Sequence, residues 1–313
     1  MSNYITIDGG TTNTRISLCR DHTIADTVKY NVGAGKAIED KRILRDTLRD
    51  GISEILTRIG ISENVITCIL ASGMLTSEFG IYKLDHIEVP AGIGELHDNM
   101  EKTVLGDISG IPFVFVRGVK TNSDDFDRMD MMRGEETELM GIIGDDCGEC
   151  VYILPGSHSK IIKTDDNGRI TDFTTMLTGE MIAALSQNTI LKDAIDLSDS
   201  HLNIEYLMKG FEYCREHGIN KTAFKVRVLK NMFSRSADEV YSFFMGTVLC
   251  GEICEIKKTD PPKIVIGGKV QIKDAMYEIL KHVVSCDIVC VSDEVSDTAA
   301  SLGMIKVFEF KHR

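Results

Sequence analysis

Two short segments of this chain have the composition of phosphate cradles. Asp8-Gly9-Gly10-Thr11-Thr12-Asn13 lies between two strand-like stretches. Its glycines permit tight backbone angles and close approach to a ligand, and its successive amides and hydroxyls can donate to phosphate oxygens. Pro155-Gly156-Ser157-His158-Ser159-Lys160 repeats the theme with small hydroxylated residues and a lysine. Either segment alone also suits an ordinary hairpin turn, whereas the two together suit a clamp on a polyphosphate. Asp8, at the end of the first strand, is placed to hold Mg²⁺ directly or through water, because hard oxygen ligands suit that ion. A third segment, Arg133-Gly134-Glu135-Glu136-Thr137-Glu138, opens a helix. Phosphoryl transfer to a hydroxyl needs a carboxylate within hydrogen-bond reach of that hydroxyl; Glu136 is the first choice for this role and Glu135 the reserve. Acidic residues at a helix start also satisfy its dipole, so their spacing admits a purely structural reading as well.

These residues need a scaffold. Residues 4–7, 14–19 and 23–30 read as three consecutive strands. Ile43, Leu44, Leu48, Ile52, Ile55, Leu56 and Ile59 then recur at helical spacing between Glu39 and Gly60, and residues 65–71 form an apolar strand. A strand over 112–119 and a helix over 134–144 complete the first half. The second half repeats this opening with strands at 151–154, 160–163 and 169–175, the last two joined by an Asn167-Gly168 turn. A helical region over about 179–258 follows, then a strand at 263–266, a helix at 271–282, a strand at 285–291 and a closing helix at 296–307.

The duplicated order β-β-β-α-β-α-β-α resembles the layout of sugar kinases, actin and Hsp70-type ATPases. It predicts an α/β protein of two ribonuclease-H-like (actin-like ATPase) domains, 1–144 and 145–313, each a mixed five-stranded sheet with flanking helices, around a central cleft. In that layout Gly267-Gly268-Lys269, between a strand and a helix, falls where such kinases pass the backbone under the adenosine; a plain strand-to-helix loop reads the same way. The chain has no Walker-type Gly-x-x-x-x-Gly-Lys-Ser/Thr, and Gly33-Ala34-Gly35 lacks the third glycine of the dinucleotide fingerprint.

Composition narrows the classes further. A chain of 313 residues is about twice the usual domain size. Its net charge of -13 offers no basic field for nucleic acid. No signal-like start or membrane-length apolar run is seen, so a cytoplasmic protein is expected. The nine cysteines form an odd set, expected to be reduced. Cys147-Gly148-Glu149-Cys150 has metal or redox spacing but no second pair, and small buried thiols are the simpler reading.

Four blocks in register along nearly the whole chain resemble the 2-keto-3-deoxygalactonate kinase (2-dehydro-3-deoxygalactonokinase) family: residues 7–15, 132–141 (Met-Arg-Gly-Glu-Glu-Thr-Glu-Leu-Met-Gly), 152–160 and 172–180. The resemblance implies ATP-dependent phosphorylation of 2-keto-3-deoxy-D-galactonate at its terminal hydroxyl, with Mg²⁺ and ATP as cofactors. The two turns and the strand-to-helix loop themselves give the expected nucleotide contacts: Gly9, Gly10, Thr11, Thr12, Asn13, Gly156, Ser157, His158, Ser159, Gly267 and Gly268. Arg15 and Arg133 match family arginines, and a guanidinium suits a substrate carboxylate; Asp125, in the Asp124-Asp125 pair, would hold substrate hydroxyls. The chain departs from the family where Gly9 replaces an aromatic residue, and residues 192–234 resemble nothing placed. A small acidic sugar is the expected partner, with no nucleic acid or membrane, and a homodimer is the default. The alternatives are a kinase for a related keto-deoxy sugar acid, a polyphosphate or nucleotide phosphohydrolase on the same fold, and a non-catalytic nucleotide sensor.

Overall fold

The computed structural model describes residues 2–38, 40–144, 148–198, 200–268 and 270–312. Glu39, Asp145, Cys147 and Lys269, which enter the expectations above, lie outside this set.

The β-branched opening stretch becomes the centre of a sheet. β1 (Asn3–Gly9), β2 (Thr14–Arg20) and β3 (Thr23–Tyr30) form an antiparallel meander. α1 (Ala34–Ala37) and α2 (Lys41–Ile59) follow, and β4 (Cys68–Gly73) returns parallel to β1. The Asp40 carboxylate caps the start of α2 by accepting from the Arg42 amide, and Gly60 ends it with a φ of 71°, a conformation that suits glycine. The α2 stripe of Leu44, Leu48, Ile52 and Ile55 shares one core with Ile5, Ile7, Ile16 and Leu18. Because side chains alternate along a strand, Thr6 points to the other face of β1.

The first unit continues with β5 (Ile87–Glu88), α3 (Ile93–Asp98), β6 (Glu101–Thr103), β7 (Phe113–Phe115), β8 (Val119–Lys120), β9 (Met131–Met132) and α4 (Glu135–Ile142). Among the described residues its large sheet has six strands in the order β3-β2-β1-β4-β7-β6, beside a small sheet β5-β8-β9. This corrects the expected five strands: β6 adds an antiparallel edge to β7, and three residues reading Glu-Lys-Thr are too short and polar to show alternation. The strand expected over 112–119 divides between the two sheets. At Gly118 the chain lies against the Met132 carbonyl, where a Cβ would come within 2.5 Å.

In the second unit β10 (Cys150–Leu154), β11 (Ser159–Thr164) and β12 (Ile170–Met176) lead into α5 (Thr178–Asn188), α6 (Ile204–His217), α7 (Ile219–Phe233) and α8 (Ala237–Lys258). Then come β13 (Lys263–Ile266), α9 (Val270–Val283), β14 (Asp287–Cys290) and α10 (Asp293–Phe308). Among the described residues its five strands run β12-β11-β10-β13-β14, with β13 parallel to both β10 and β14. α8 is apolar nearly all round and lies in the core, its start fixed by a Ser236–Glu239 capping box. Within the helical region expected over about 179–258, residues 204–233 form α6 and α7, packed on α8. Cys150 is a buried thiol, donating to the Lys263 carbonyl at 3.4 Å.

The compact units are Met1–Gly148 with Thr164–Phe173 and Glu294–Arg313, and Glu149–Lys163 with Thr174–Asp293. Residues 145–313 therefore do not stay together as one domain, because α10 returns to the first unit. There the Thr6 hydroxyl donates to Ser301 at 2.8 Å, the Tyr4 hydroxyl donates to Glu309 at 2.8 Å, and the Tyr4 and Phe308 rings meet edge-on at 5.7 Å. Among the described residues no helix is long and apolar enough to cross a membrane.

Candidate active site

Residues 8–13 form a tight connection from β1 to β2. The strands stay paired to the end, Asp8 opposite Arg15 and Gly9 opposite Thr14, and the Gly10 amide closes the turn onto the Asn13 carbonyl at 2.8 Å. Thr11, Thr12 and Asn13 are exposed. Behind the turn, the Ala34 amide donates to the Gly10 carbonyl at 3.0 Å and the Gly35 amide to the Thr11 carbonyl at 2.8 Å. A Cβ on Gly33 would stand 2.5 Å from the Gly10 oxygen, so α1 can brace the turn only through a glycine. Gly33-Ala34-Gly35, read from sequence only as a failed dinucleotide motif, is thus the backing of the first turn. At Gly9 the buried Leu75 side chain occupies the space, with its Cγ 2.4 Å from where a Cβ would be.

Four carboxylates share one electrostatic neighbourhood beside that turn. α4 starts at Gly134, whose φ is 108° and which lies against the end of β4 at Gly73. Glu136 is fully buried, and both its oxygens accept from the Gly134 amide at 2.9 and 2.8 Å. Burial, and then the charge of Glu135, push its pKa up to about 8. Glu138 is raised to about 8 by burial and by Asp8 and Glu135, and Asp8 is raised by burial and Glu135 against the opposing pull of Arg15. Glu135 is partly exposed and accepts from the Arg133 amide at 3.1 Å. Of the two residues chosen for acid-base work, then, only Glu135 keeps contact with solvent, while Glu136 is enclosed as a brace of the helix start.

Like charges this close favour either protons or a cation. Among the described residues no three His, Cys, Asp or Glu side chains gather closely enough to hold a metal by themselves. Asp8 with one neighbouring carboxylate nevertheless fits Mg²⁺, which keeps several waters and takes one or two carboxylates plus substrate phosphate.

The two arginines are anchored within the first unit. Arg15 donates from Nη1 to the Asp297 carbonyl at 2.6 Å. Arg133 donates from Nη1 to Thr76 and from Nη2 to the Leu84 carbonyl, both at 2.8 Å, with His86 Nδ1 at 3.3 Å from Nη2. Asp125 is exposed between β8 and β9, where its carboxylate accepts from the Asp127 amide at 3.1 Å; among the described residues none of its bonds reaches β1 or α4.

In the second unit the turn from β10 to β11 is held from two directions. A Cβ on Gly179 would lie 2.3 Å from the Gly156 oxygen, so the first turn of α5 rests directly on the turn backbone. There the Glu180 amide donates to the Ser157 carbonyl at 3.2 Å, and His158 Nε2 meets Glu180 Oε1 at 2.9 Å. Ser157 is exposed and His158 partly so, whereas Ser159 is fully buried with its hydroxyl donating to Glu252. Lys160 is buried too, and its ammonium donates to the His158 carbonyl at 3.1 Å. The Gly267 amide donates to the Ile153 carbonyl at 2.9 Å, and Gly268, with φ 77°, lies against Pro155. The structure thus brings Gly156, Ser157, His158, Gly267 and Gly268 into one group. Glu138, Gly179 and Glu180 sit inside the matching sequence blocks but show no role there, and Glu252 carries no sequence signal.

A family model described as 2-keto-3-deoxy-galactonokinase matches residues 8–306. The chain is 24% identical over 314 residues to a 2-dehydro-3-deoxygalactonokinase of Escherichia coli strain K12, covering 96% of each. It is similar to a solved structure described as a candidate 2-dehydro-3-deoxygalactonokinase protein from Sinorhizobium meliloti, with a TM-score of 0.76 at 20% identity over 97% of both chains. The Clostridium difficile activator of 2-hydroxyisocaproyl-CoA dehydratase, solved with bound ADPNP, gives a TM-score of 0.51 at 11% identity over 98% of this chain and 95% of that one. These structural likenesses bear on the fold, which is the two-domain actin-like ATPase architecture.

Proposed function

The chain belongs to the 2-keto-3-deoxy-galactonokinase family and is a kinase acting on 2-keto-3-deoxygalactonate, and from that premise we propose how its residues divide the work. ATP supplies the phosphoryl group. The exposed Thr11, Thr12 and Asn13 turn and the Gly156–His158 turn each offer backbone amides and hydroxyls to phosphate oxygens, and the Gly267-Gly268 loop receives the adenosine. Asp8, with Glu138, would hold Mg²⁺, which would neutralise developing negative charge on the transferring group.

Glu135 accepts the proton of the sugar hydroxyl as its oxygen bonds the γ-phosphorus of ATP and the bond from that phosphorus to the ADP oxygen breaks. Glu136, enclosed on the Gly134 amide, keeps the start of α4 in the shape that presents Glu135. Arg15 and Arg133 supply positive charge toward the substrate carboxylate, and Asp125 is the reserve partner for its hydroxyls. A product phosphorylated at the terminal hydroxyl, the 6-phosphate, and a cytoplasmic place of action complete the reading.

The observation that carries this reading is the partial exposure of Glu135 among three raised carboxylates beside the first turn. Perturbed groups clustered at a phosphate-type turn are what an acid-base and cation site requires. Glu135→Gln tests it: kcat should fall by roughly 10²- to 10⁴-fold with KM for ATP little changed. A variant with near-normal kcat would remove Glu135 from the chemistry.

A further inference from the structure

Glu252 lies on α8 with 1% of its surface exposed, and nothing in the reaction outlined above uses it. Both its oxygens accept hydroxyl protons: Oε1 from Ser159, the first residue of β11, and Oε2 from Thr178, the first residue of α5. Burial raises its pKa, and the two hydroxyls work against that rise. A carboxyl group in a core is costly wherever an apolar residue of similar size would fill the space. The surrounding α8 positions, Val248, Leu249, Ile253 and Ile256, are apolar and buried, so the core itself does not call for an acid here.

What the carboxyl group joins is the two ends of the apparatus around the second turn. Ser159 is the exit of Gly156-Ser157-His158. Thr178 precedes Gly179, which rests on the Gly156 backbone, and Glu180, which bonds Ser157 and His158. One buried group therefore ties the strand leaving the turn to the helix that covers it, and both hydroxyls are buried on the carboxylate.

We propose that Glu252 is a positioning residue for nucleotide binding, fixing the Gly156–His158 backbone in the shape that receives phosphate through Ser159 and Thr178. This rests on reading that turn as a phosphate site. Backbone amides grip an anion only when they converge on it before it arrives, so a turn released at both ends binds nucleotide less tightly. Ser159, expected from sequence to touch the nucleotide, becomes part of this support.

The test compares KM for ATP and kcat, with active protein counted, in Glu252→Ala, Glu252→Gln, Thr178→Val and Gly156→Val. Glutamine can bond both hydroxyls, one through its oxygen and one through its amide, so E252Q should stay within about threefold of the parent KM. E252A should raise KM for ATP by about tenfold with kcat per active molecule kept within about twofold. A merely structural loss would lower the active fraction and leave KM alone. Should E252A fail to fold, T178V carries the same expectation through removal of one hydroxyl. If G156V raises KM for ATP but E252A and T178V do not, the positioning role is overturned and the phosphate reading stands. If G156V also leaves KM unchanged, the phosphate reading falls and takes the inference with it.

Discussion

Replacing Glu136 with glutamine removes a carboxyl group whose ionisation the fold opposes. In the folded protein burial and Glu135 raise its pKa from 4.5 to about 8. The folded state therefore binds a proton that the unfolded chain has lost, and stability falls as pH rises from the unfolded value to the folded one, levelling off above it. Each pH unit between those two values is worth about 1.4 kcal/mol, so the span from 4.5 to about 8 sets a ceiling of about 5 kcal/mol on the penalty at alkaline pH. Glutamine escapes that penalty but keeps only one of the two oxygens that accept from the Gly134 amide, a loss of about 1 kcal/mol. The net gain at alkaline pH is therefore at most about 4 kcal/mol. Urea unfolding of the parent and E136Q at about pH 5 and about pH 9 measures it. The variant should be close to the parent or slightly less stable at the lower pH and clearly more stable at the higher one. Equal destabilisation at both would mean that the ionised carboxylate is favoured where it lies, and would refute the reasoning.

The first turn should depend on its backing: Gly33→Ala places a Cβ 2.5 Å from the Gly10 oxygen and should raise KM for ATP while costing about 1–3 kcal/mol of stability, and unchanged ATP kinetics would detach α1 from the site. Gly9→Ala should destabilise through collision with Leu75, and in a Leu75→Ala background its cost should shrink by about 1 kcal/mol or more in a double-mutant cycle; strict additivity would show that Leu75 is not the obstacle. Chelation of divalent cations by EDTA should abolish turnover and added Mg²⁺ restore it, whereas full activity in chelator would count against the role given to Asp8.

The parts of this protein legible from sequence are those whose signal is local. Gly-Gly-Thr-Thr between two β-branched runs announces the first turn, and Lys263–Ile266 announces a strand by composition alone. The fate of the Arg-Gly-Glu-Glu block was only half visible: its place at the start of α4 follows from pattern, but which glutamate is enclosed depends on how Gly134 meets β4. Glu252 was invisible because its partners stand 93 and 74 residues away and one of the bonds was credited to a ligand. β6 hid in three polar residues, and α10 gave no hint that its serine and its aromatic end serve β1. Periodicity tells which face of an element is apolar, not which partner covers it.

Phosphoryl transfer from ATP to a specific sugar acid is tested most directly by a coupled ADP assay. ADP should appear with 2-keto-3-deoxygalactonate in amounts equal to the sugar acid supplied, much more slowly with 2-keto-3-deoxygluconate, and at only a trace rate with ATP alone. Rapid ADP and phosphate release without any sugar acid, unchanged when 2-keto-3-deoxygalactonate is added, would contradict it.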